Sequence, residues 1–528
     1  MNRAVGWQWA KQAGLVLCAA LALGAARPPA RQSALPKLPS PMEIALRGHV
    51  EALASDDFAG REPGTEGESR TLRYLARQWF DIGLEPGTNI PGSGWFAPVD
   101  LIERQPLSSR AVFTRAGRRV PLPADSVYVV TSGLRGLVQD APLVFVGHAA
   151  GAPPPRAELA GRIALMLDSL PEGTSRDAAG DRVGRLLDAG ALAVLTVLDD
   201  ERTLPEVIAR RSRAGHAVAG GPVVSEIEGF VTAEAVDLLL PGAHHAPLAR
   251  LKAEAAGSRF VPHLLGLQAT LEATSRETRI RTHNLIGRLP GRSRDAGAVL
   301  VLAHWDHFGT CAAPPAPDVI CNGAIDNASG LAVITEAARL LARGRPLERD
   351  VYFLATTAEE VGLLGAVAFA ENPPIPLDRF VAALNVDSTG LAPAGSPLGV
   401  VGKGLTPLDP LIAEVAGRMK RRLADGDGAN AYIRRQDSWV LLRHDLPTVM
   451  VSNSYGDMTL LERFMQETYH RPSDQAGAGI DYGGMADDVM VQVELIRAFA
   501  DPRRLPARGL PGSGLPGGGS AAKGAERP

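Results

Sequence analysis

Three apolar runs in the second half of the chain each lead towards histidine or acidic side chains. The runs are Val299–Ala303, Val351–Ala355 and Val381–Leu384. Short continuous apolar runs are typical of strands that are buried on both faces of a parallel sheet. The carboxyl ends of such strands lie along one edge of the sheet, so the polar side chains that follow them are expected to converge there. The sequence therefore predicts a mostly parallel, doubly wound α/β sheet with helices on both faces.

Five short motifs supply candidate metal ligands, and three of them follow these runs. Neutral imidazole and carboxylate are good zinc ligands, and two zinc ions that share an aspartate can hold a water whose pKa falls to about 7. Each motif alone is a weak signal, because a Glu-Glu pair is more often a solvated helix face. The ordered set predicts a two-metal hydrolase. The motifs are Ala303-His304-Trp305-Asp306-His307, Gly323-Ala324-Ile325-Asp326-Asn327, Ala358-Glu359-Glu360, Asn385-Val386-Asp387 and Tyr469-His470.

Both ends of the chain differ in composition from the rest. Residues 1–26 have the pattern of a signal peptide, because Arg3 and Lys11 precede an apolar run, Ala13–Ala26, that is shorter than the roughly 20 residues of a membrane span. An uncleaved anchor is the alternative. The Pro-rich residues 27–41 predict a linker, and the Gly-rich residues 503–528 predict a disordered tail. We therefore expect a secreted or periplasmic protein with no stable membrane span after signal removal.

The remaining residues predict one discontinuous catalytic domain with an insert. The 528-residue chain is long enough for two or three domains, and its formal net charge of -3 argues against a nucleic-acid partner. Residues 42–122 and 253–502 are assigned to the main domain. Residues 123–252 are assigned to a small β-rich insert. A role as a structural lid or spacer is at least as well supported for this insert as a role in substrate binding. Strand candidates in it are Ala141–Gly147, Gly161–Leu167 and Gly190–Leu195. Helices are expected from Glu43, over Glu68–Ile82, from a start within Asp326–Gly330, over Pro407–Leu423 and over Gly484–Ala500.

Two cysteines remain once the signal peptide is excluded. Cys311 and Cys321 lie in the loop between His304 and Asp326. In an oxidising compartment they are expected to form a disulfide that stiffens this loop. A role as thiolate ligands is the alternative. The pair His244-His245 is another metal candidate, but its Pro- and Gly-rich surroundings favour an exposed loop.

Taken in order, these motifs make the mature chain resemble the secreted dizinc aminopeptidases of the M28 type and their glutamate carboxypeptidase relatives. The early motif Gly60-Arg61-Glu62-Pro63-Gly64-Thr65 is part of the resemblance, and the insert is similar to a protease-associated domain. The resemblance implies two zinc ions as cofactors, with Asp326 bridging them. It implies that His304 and Asp387 bind one ion and that Glu360 and His470 bind the other. It also implies Glu359 as the general base and Asp306 as the carboxylate that orients His304.

Other residues near these motifs have more than one interpretation. Tyr469 matches a donor to the developing oxyanion, although a packing aromatic is an equal alternative. His307 is expected to be structural, and His444 is expected to be a loop or surface residue. Many relatives carry a Ser-Asp-His-x-Pro-Phe-like segment, whereas this chain has Arg435-Gln436-Asp437-Ser438-Trp439. Asp437 therefore matches, but the neighbouring pocket does not, and substrate specificity stays open.

The leading functional hypothesis is an aminopeptidase that acts on peptides. A carboxypeptidase or dipeptidase on the same scaffold is the main rival, and basic residues in the pocket would favour it. The positions of Arg434, Arg435 and Arg471 relative to the metals decide between them. A glutaminyl cyclase is disfavoured, because such relatives are compact and lack the insert. A catalytically inactive binding protein is disfavoured because every ligand position and Glu359 are filled.

Overall fold

The computed structural model describes residues 38–174, 180–199, 202–221, 225–240, 247–257, 259–312, 315–477 and 479–507. The predicted signal peptide, most of the tail and His244-His245 lie outside these ranges. Its strands, in chain order, are β1 (Glu85–Pro86), β2 (Phe96–Arg115), β3 (Arg118–Val120), β4 (Val127–Thr131), β5 (Arg135–Phe145), β6 (Ile163–Leu167), β7 (Ala193–Val197), β8 (Gly215–Val218), β9 (Ile227–Val231), β10 (His263–Leu289), β11 (Ala298–His304), β12 (Gly309–Thr310), β13 (Ile320–Cys321), β14 (Asp350–Thr356), β15 (Phe380–Asn385), β16 (Gly399–Val401) and β17 (Thr448–Ser452).

The helices cover the sheet and connect its strands. No helix among the described residues is both long enough and apolar enough to span a membrane. The α-helices are Pro41–Leu53, Glu66–Ile82, Arg156–Leu159, Arg182–Asp188, Leu204–Arg211, Ala233–Leu239, Pro247–Ala255, Gly330–Ala342, Leu364–Glu371, Asp409–Arg418, Asp437–Arg443, Met458–Glu467 and Tyr482–Phe499.

One large mixed sheet runs through the molecule in the order β16-β17-β15-β11-β14-β10-β5-β6-β7-β9-β4. The pairs that join β17, β15, β11 and β14 are parallel, as are those that join β5, β6, β7 and β9. The long strand β10 lies antiparallel between these two halves. The prediction of a mostly parallel α/β sheet is therefore confirmed.

Alternate side chains of the central strands pack against helices on opposite faces of the sheet. Val299 and Val301 of β11 belong to a buried cluster with the helices Gly330–Ala342 and Tyr482–Phe499. Leu300 and Leu302 belong to a second cluster with the helices Leu364–Glu371 and Asp437–Arg443. Because successive strand residues point to opposite faces, an uninterrupted apolar run is what a sheet covered on both sides requires.

The predicted insert is built on two strands of the main sheet. Strands β2 and β10 pair along almost their whole length, from Phe96 opposite Leu285 to Thr114 opposite Gln268. Strands β5, β6 and β7, which overlap the predicted strand candidates, extend the same sheet beyond β10 and share an apolar cluster with β2 and β10. The boundaries 123 and 252 stay a prediction.

Two local predictions need correction. The helix expected over Pro407–Leu423 is only Asp409–Arg418, because Lys420 adopts a left-handed φ of 56° and the chain then turns to hydrogen-bond with Leu398. Leu505, which was assigned to the disordered tail, is 6% exposed and packs in the main core. Residues 508–528 lie outside the described part of the chain.

Candidate dimetal centre

The candidate ligands meet at the carboxyl edge of the central parallel strands. Strand β11 ends at His304, which lies opposite Thr356 at the end of β14, and Leu302 lies opposite Asn385 at the end of β15. Glu359 and Glu360 follow β14, and Asp387 follows β15. The aligned strand ends explain why residues more than 80 positions apart in sequence form one site.

Asp326 lies between the two histidines. The Nε2 atom of His304 is 3.1 Å from Asp326 Oδ1 and 3.5 Å from Asp387 Oδ1. The Nε2 atom of His470 is 3.3 Å from Asp326 Oδ2 and 2.9 Å from Glu360 Oε2. Each oxygen of Asp326 therefore faces a different histidine, and each histidine faces a second carboxylate.

The donor atoms fit divalent metal ions. The Nε2 atoms of His304 and His470 and the Oδ2 atom of Asp326 are buried, and although they lie near carboxylate or imidazole atoms, they make no hydrogen bond of normal geometry within the described part of the chain. Buried polar atoms are normally satisfied, so three unpartnered atoms that face one another indicate a ligand. Imidazole nitrogen and carboxylate oxygen are the ligands expected for zinc. The residues present could hold two ions that share Asp326.

The electrostatics of the site favour positive charge. Burial lowers the pKa of His304, but Glu359, Asp326 and Asp387 outweigh it and hold that pKa well above its usual value. Burial also lowers the pKa of His470, yet its contacts with Asp326 and Glu360 raise it to about 9. The same pairs hold the pKa of Asp326 below its usual range despite its burial. The carboxylates thus attract protons or metal ions to this point.

Glu359 is buried beside these ligands. Its side chain is 8% exposed, and burial, together with Glu360 and Asp437, raises its pKa well above the usual value. A carboxyl group whose pKa is raised accepts a proton more readily than an ordinary carboxylate does. This property suits a general base.

Asp306 contacts the site differently from the expected arrangement. Its carboxylate accepts hydrogen bonds from the backbone N–H groups of Glu359, at 3.1 Å, and Glu360, at 3.3 Å. The Nδ1 atom of His304 is 3.1 Å from the carbonyl oxygen of Asp306 and 3.9 Å from its carboxylate. Burial raises the pKa of Asp306 to about 7. Asp306 therefore holds the Glu359-Glu360 turn and contacts His304 mainly through its backbone.

Tyr469 stacks on His470, with 3.5 Å between the ring centroids and 26° between the planes. Burial, Asp326 and Glu360 raise the pKa of its phenol far above the usual value. The hydroxyl group therefore stays protonated and can donate a hydrogen bond.

The structure adds two residues that contact the ligands. His307, expected to be structural, has its Nδ1 atom 2.5 Å from Glu360 Oε1. Asp474 accepts hydrogen bonds from the backbone N–H groups of Ile325, at 2.9 Å, and Asp326, at 3.0 Å. It lies four positions after His470, but spacing alone does not reveal that its partners are about 150 residues away. His444 is exposed, as expected.

The divergent segment 435–439 lies beside the centre. Asp437 is buried and accepts a hydrogen bond from Thr356 Oγ1 at 2.5 Å, and burial raises its pKa to about 6. Gln436 donates to the hydroxyl of Tyr455 at 3.1 Å. The sequence did not predict these contacts.

The loop between the first two ligands is closed by a disulfide. Cys311 and Cys321 are bonded, with 5.7 Å between their Cα atoms. The short strands β12 and β13 pair next to them. The loop that leads from His304 to Asp326 is therefore cross-linked.

A covered α/β sheet thus gathers two histidines and several carboxylates at its carboxyl edge, and these residues could hold metal ions of the kind that metallohydrolases use. Residues 284–496 match the family model Peptidase family M28. The chain therefore contains a peptidase M28 family domain, and the matched range includes all the candidate ligands.

Two named relatives are similar to parts of the chain. The chain is 33% identical to aminopeptidase YwaD of Bacillus subtilis over 111 residues. This matched segment makes up 21% of this chain and 22% of that protein. The chain is also 30% identical to a probable zinc metalloprotease of Pyrenophora tritici-repentis over 168 residues. This matched segment makes up 29% of this chain and 35% of that protein. The matched segments thus span well under half of these relatives.

A solved structure supports the fold over a longer range. An aminopeptidase from Aneurinibacillus sp. strain AM-1 aligns with 86% of this chain and 93% of its own, at 17% identity and a TM-score of 0.50. At this identity the likeness concerns the fold alone.

Proposed function

We propose that this protein is a zinc-dependent aminopeptidase that removes N-terminal residues from peptides. The observation that carries the proposal is the cluster of His304, three carboxylates and the buried Glu359, with His470 in contact with two of those carboxylates, at the edge of an M28-type sheet. When bound, two zinc ions supply a water that is acidic enough to ionise near neutral pH.

The residues of the chain can perform the remaining steps. Glu359 accepts the proton of the attacking water and returns it to the departing amine. Tyr469 donates a hydrogen bond to the oxygen on which negative charge develops. Asp306 holds the backbone of Glu359 and Glu360, so the base and a ligand keep a fixed separation.

The charges around the site support an aminopeptidase over a carboxypeptidase. Arg434 lies over the ring of Trp439 at 5.1 Å, and Arg435 lies over the ring of Tyr432 at 5.8 Å. Arg471 is exposed and donates to the carbonyl of Glu467. The carboxylates of Glu359, Asp387 and Asp437, by contrast, act on one another at the centre. Of these three, Asp437 is neither a proposed ligand nor the proposed base, and its buried carboxylate beside the centre favours a substrate ammonium group over a substrate carboxylate.

A peptide with a free N-terminus and its N-acetylated twin test this proposal. Purified protein with zinc should release the first residue of the free peptide only. Removal of metal by a chelator should abolish release, and added zinc should restore it. Release from the C-terminal end of both peptides would assign a carboxypeptidase instead.

Glu359→Gln tests the base. We expect kcat to fall by roughly 10²-fold to 10⁴-fold while zinc stoichiometry is unchanged, because the carboxylate that moves the proton is lost but the metal ligands remain. The matched control is Glu371→Gln at an exposed helix end, which should retain full activity. Equal kcat values for Glu359→Gln and the parent protein would rule out Glu359 as the base.

We also propose that the protein is exported, on the pattern of residues 1–26. Expression in a bacterium followed by N-terminal sequencing should give a mature chain that begins at or near Arg27 outside the cytoplasm. Retention of Met1 on a membrane-bound protein would favour an anchor.

A further inference from the structure

Arg61 is a fully buried cation next to the candidate metal centre. It belongs to the turn after the first helix and is 0% exposed. Burial lowers its pKa to about 10, and carboxylates of the centre oppose this shift, so Arg61 stays charged at neutral pH. Burying an ion costs several kcal/mol unless polar groups compensate for the lost water. The polar groups that contact the Arg61 guanidinium therefore indicate the role of this residue.

Those partners are backbone carbonyls on three separate segments. The guanidinium donates to Trp305 at 2.8 Å, to Asn322 at 2.6 Å and to Gly323 at 2.9 Å. It also donates to Leu53, the last residue of the first helix, at 2.8 Å. Since these four acceptors are carbonyls, the side chain acts on backbone positions.

Two of the three segments carry the proposed ligands. Trp305 lies between His304 and Asp306, and Gly323 lies three residues before Asp326. The carbonyl of Arg61 also accepts the N–H of His307 at 3.3 Å. One planar group therefore joins the loop that holds His304 to the loop that holds Asp326.

The turn that carries Arg61 is itself closely packed. Gly60 has a φ of 65°, and a Cβ atom there would lie 2.6 Å from the carbonyl oxygens of Cys321 and Gly309. The turn thus fits against the β12–β13 hairpin, which the Cys311–Cys321 disulfide closes. Only glycine fits at this point, because its φ is positive and a Cβ atom would clash with both carbonyl oxygens.

We propose that Arg61 is a positioning residue for the dimetal centre, which holds the His304 loop and the Asp326 loop at the separation that metal binding requires. This inference rests on the proposed zinc centre. Partners that orient metal ligands typically change metal affinity by about 10-fold to 100-fold when they are removed.

The test measures zinc affinity of the metal-free protein by competition with a chromophoric chelator. Arg61→Met should bind zinc at least about tenfold more weakly than the parent. Arg61→Lys should also bind weakly, because one ammonium group cannot reach four carbonyls in the geometry of the guanidinium fork. Thermal unfolding of the same samples establishes that the folded state is being measured.

Arg349→Met is the matched control. Arg349 is also 0% exposed, has a pKa lowered to about 10 by burial, and donates to the carbonyls of Ala296 and Phe499. It precedes β14 at the opposite end from Glu359, roughly 20 Å away by the rise of a seven-residue strand. We expect Arg349→Met to lower stability and leave zinc affinity unchanged.

The outcomes separate this inference from the proposed function. Tight zinc binding by the parent and by Arg61→Met would overturn the positioning role and leave the zinc centre standing. Full zinc affinity in Arg61→Lys would likewise overturn it, because charge alone would then suffice. Failure of the parent protein to bind zinc would refute the proposed centre itself. If Arg61→Met does not fold, the zinc affinity of Arg61→Lys decides whether Arg61 has the positioning role.

Discussion

At the scale of single residues, buried carboxylates in this protein do two different jobs. Asp326, Glu360 and Asp387 face imidazole nitrogens and are candidates for metal ligation. Asp306 and Asp474 each accept two consecutive backbone N–H groups and so hold the turns that carry ligands. A residue type by itself does not separate these roles, because both use the same acceptor oxygens.

Tyr469→Phe distinguishes a catalytic hydroxyl from a packing ring. Phenylalanine preserves the stack on His470 but removes the donor. If the hydroxyl stabilises the oxyanion, kcat should fall by about 10²-fold to 10³-fold with little change in KM or thermal stability. Tyr432→Phe, whose ring packs edge-on against Tyr455, is the control and should keep kcat unchanged. An unaltered kcat in Tyr469→Phe would assign the residue to packing.

Asp488 predicts a pH dependence of stability away from the ligands. Burial raises its pKa from 3.8 to about 7, although it accepts hydrogen bonds from Ser452 and the N–H of Asn453. Between these values the folded state binds a proton that the unfolded state lacks, so stability decreases as pH rises, by up to about 1.4 kcal/mol per unit. Below pH 3.8 this contribution is complete, and above about pH 7 it is lost.

Urea unfolding of the parent and of Asp488→Asn from pH 4 to 8 measures this effect. The free energy of unfolding of the parent, minus that of the variant, should decrease up to about pH 7 and then level off. Other titrating groups are shared by the two proteins and cancel in the difference. A difference that does not vary with pH would mean that Asp488 is ionised throughout.

At the scale of elements, each candidate ligand lies at or next to the end of a strand or helix, and this placement fixes its position. His304 is the last residue of β11, and Asp326 precedes the helix Gly330–Ala342. The β12–β13 hairpin connects these two positions and packs on the Gly60-Arg61 turn. The geometry of the centre therefore depends on this hairpin as well as on the sheet.

Replacing Cys311 and Cys321 together with alanine tests the hairpin. Loss of a cross-link that closes a loop of this size should lower the free energy of unfolding by roughly 3 kcal/mol, mainly because the unfolded chain gains entropy. We expect weaker zinc binding as well, because the loop between His304 and Asp326 is released. Chemical unfolding and zinc competition measure the two effects. Unchanged stability in the double variant, or two reactive thiols in the denatured but unreduced parent, would contradict this role.

At the scale of the whole molecule, the predicted insert and the main domain share a sheet. Strands β10 and β2 of the main domain pair with β5 and β8 of the predicted insert, and Val218 of β8 packs in one cluster with Ala358 and Leu364, close to Glu359. The insert thus reaches the segment that carries the proposed base. Its resemblance to a protease-associated domain stays a proposal.

Deletion of residues 123–252, with a short Gly-Ser joint, should give an aggregating protein. Phe113 of β2 and Leu271 of β10 are at most 2% exposed and would lose the strands that cover them. Soluble yield and size-exclusion chromatography measure the outcome, and deletion of residues 508–528 is the control that should remain soluble. A soluble deletion variant that still binds zinc would establish that the remaining residues fold alone.

The local pattern of the sequence was enough to predict the α/β class, the central strands and the convergence of the segments that carry His304, Glu359 and Asp387, whereas Asp326 and His470 were assigned by resemblance to the dizinc aminopeptidases. Such features follow from apolar periodicity and from the rule that parallel strands end at one edge. Tertiary structure alone decided which backbone groups Asp306, Asp474 and Arg61 hold, where Arg434 and Arg435 lie, and where the helix after Leu408 ends. The contacts of Asp306, Asp474 and Arg61 with the ligand segments join residues that are 53 to 262 positions apart, and their geometry depends on packing that no short stretch of sequence encodes.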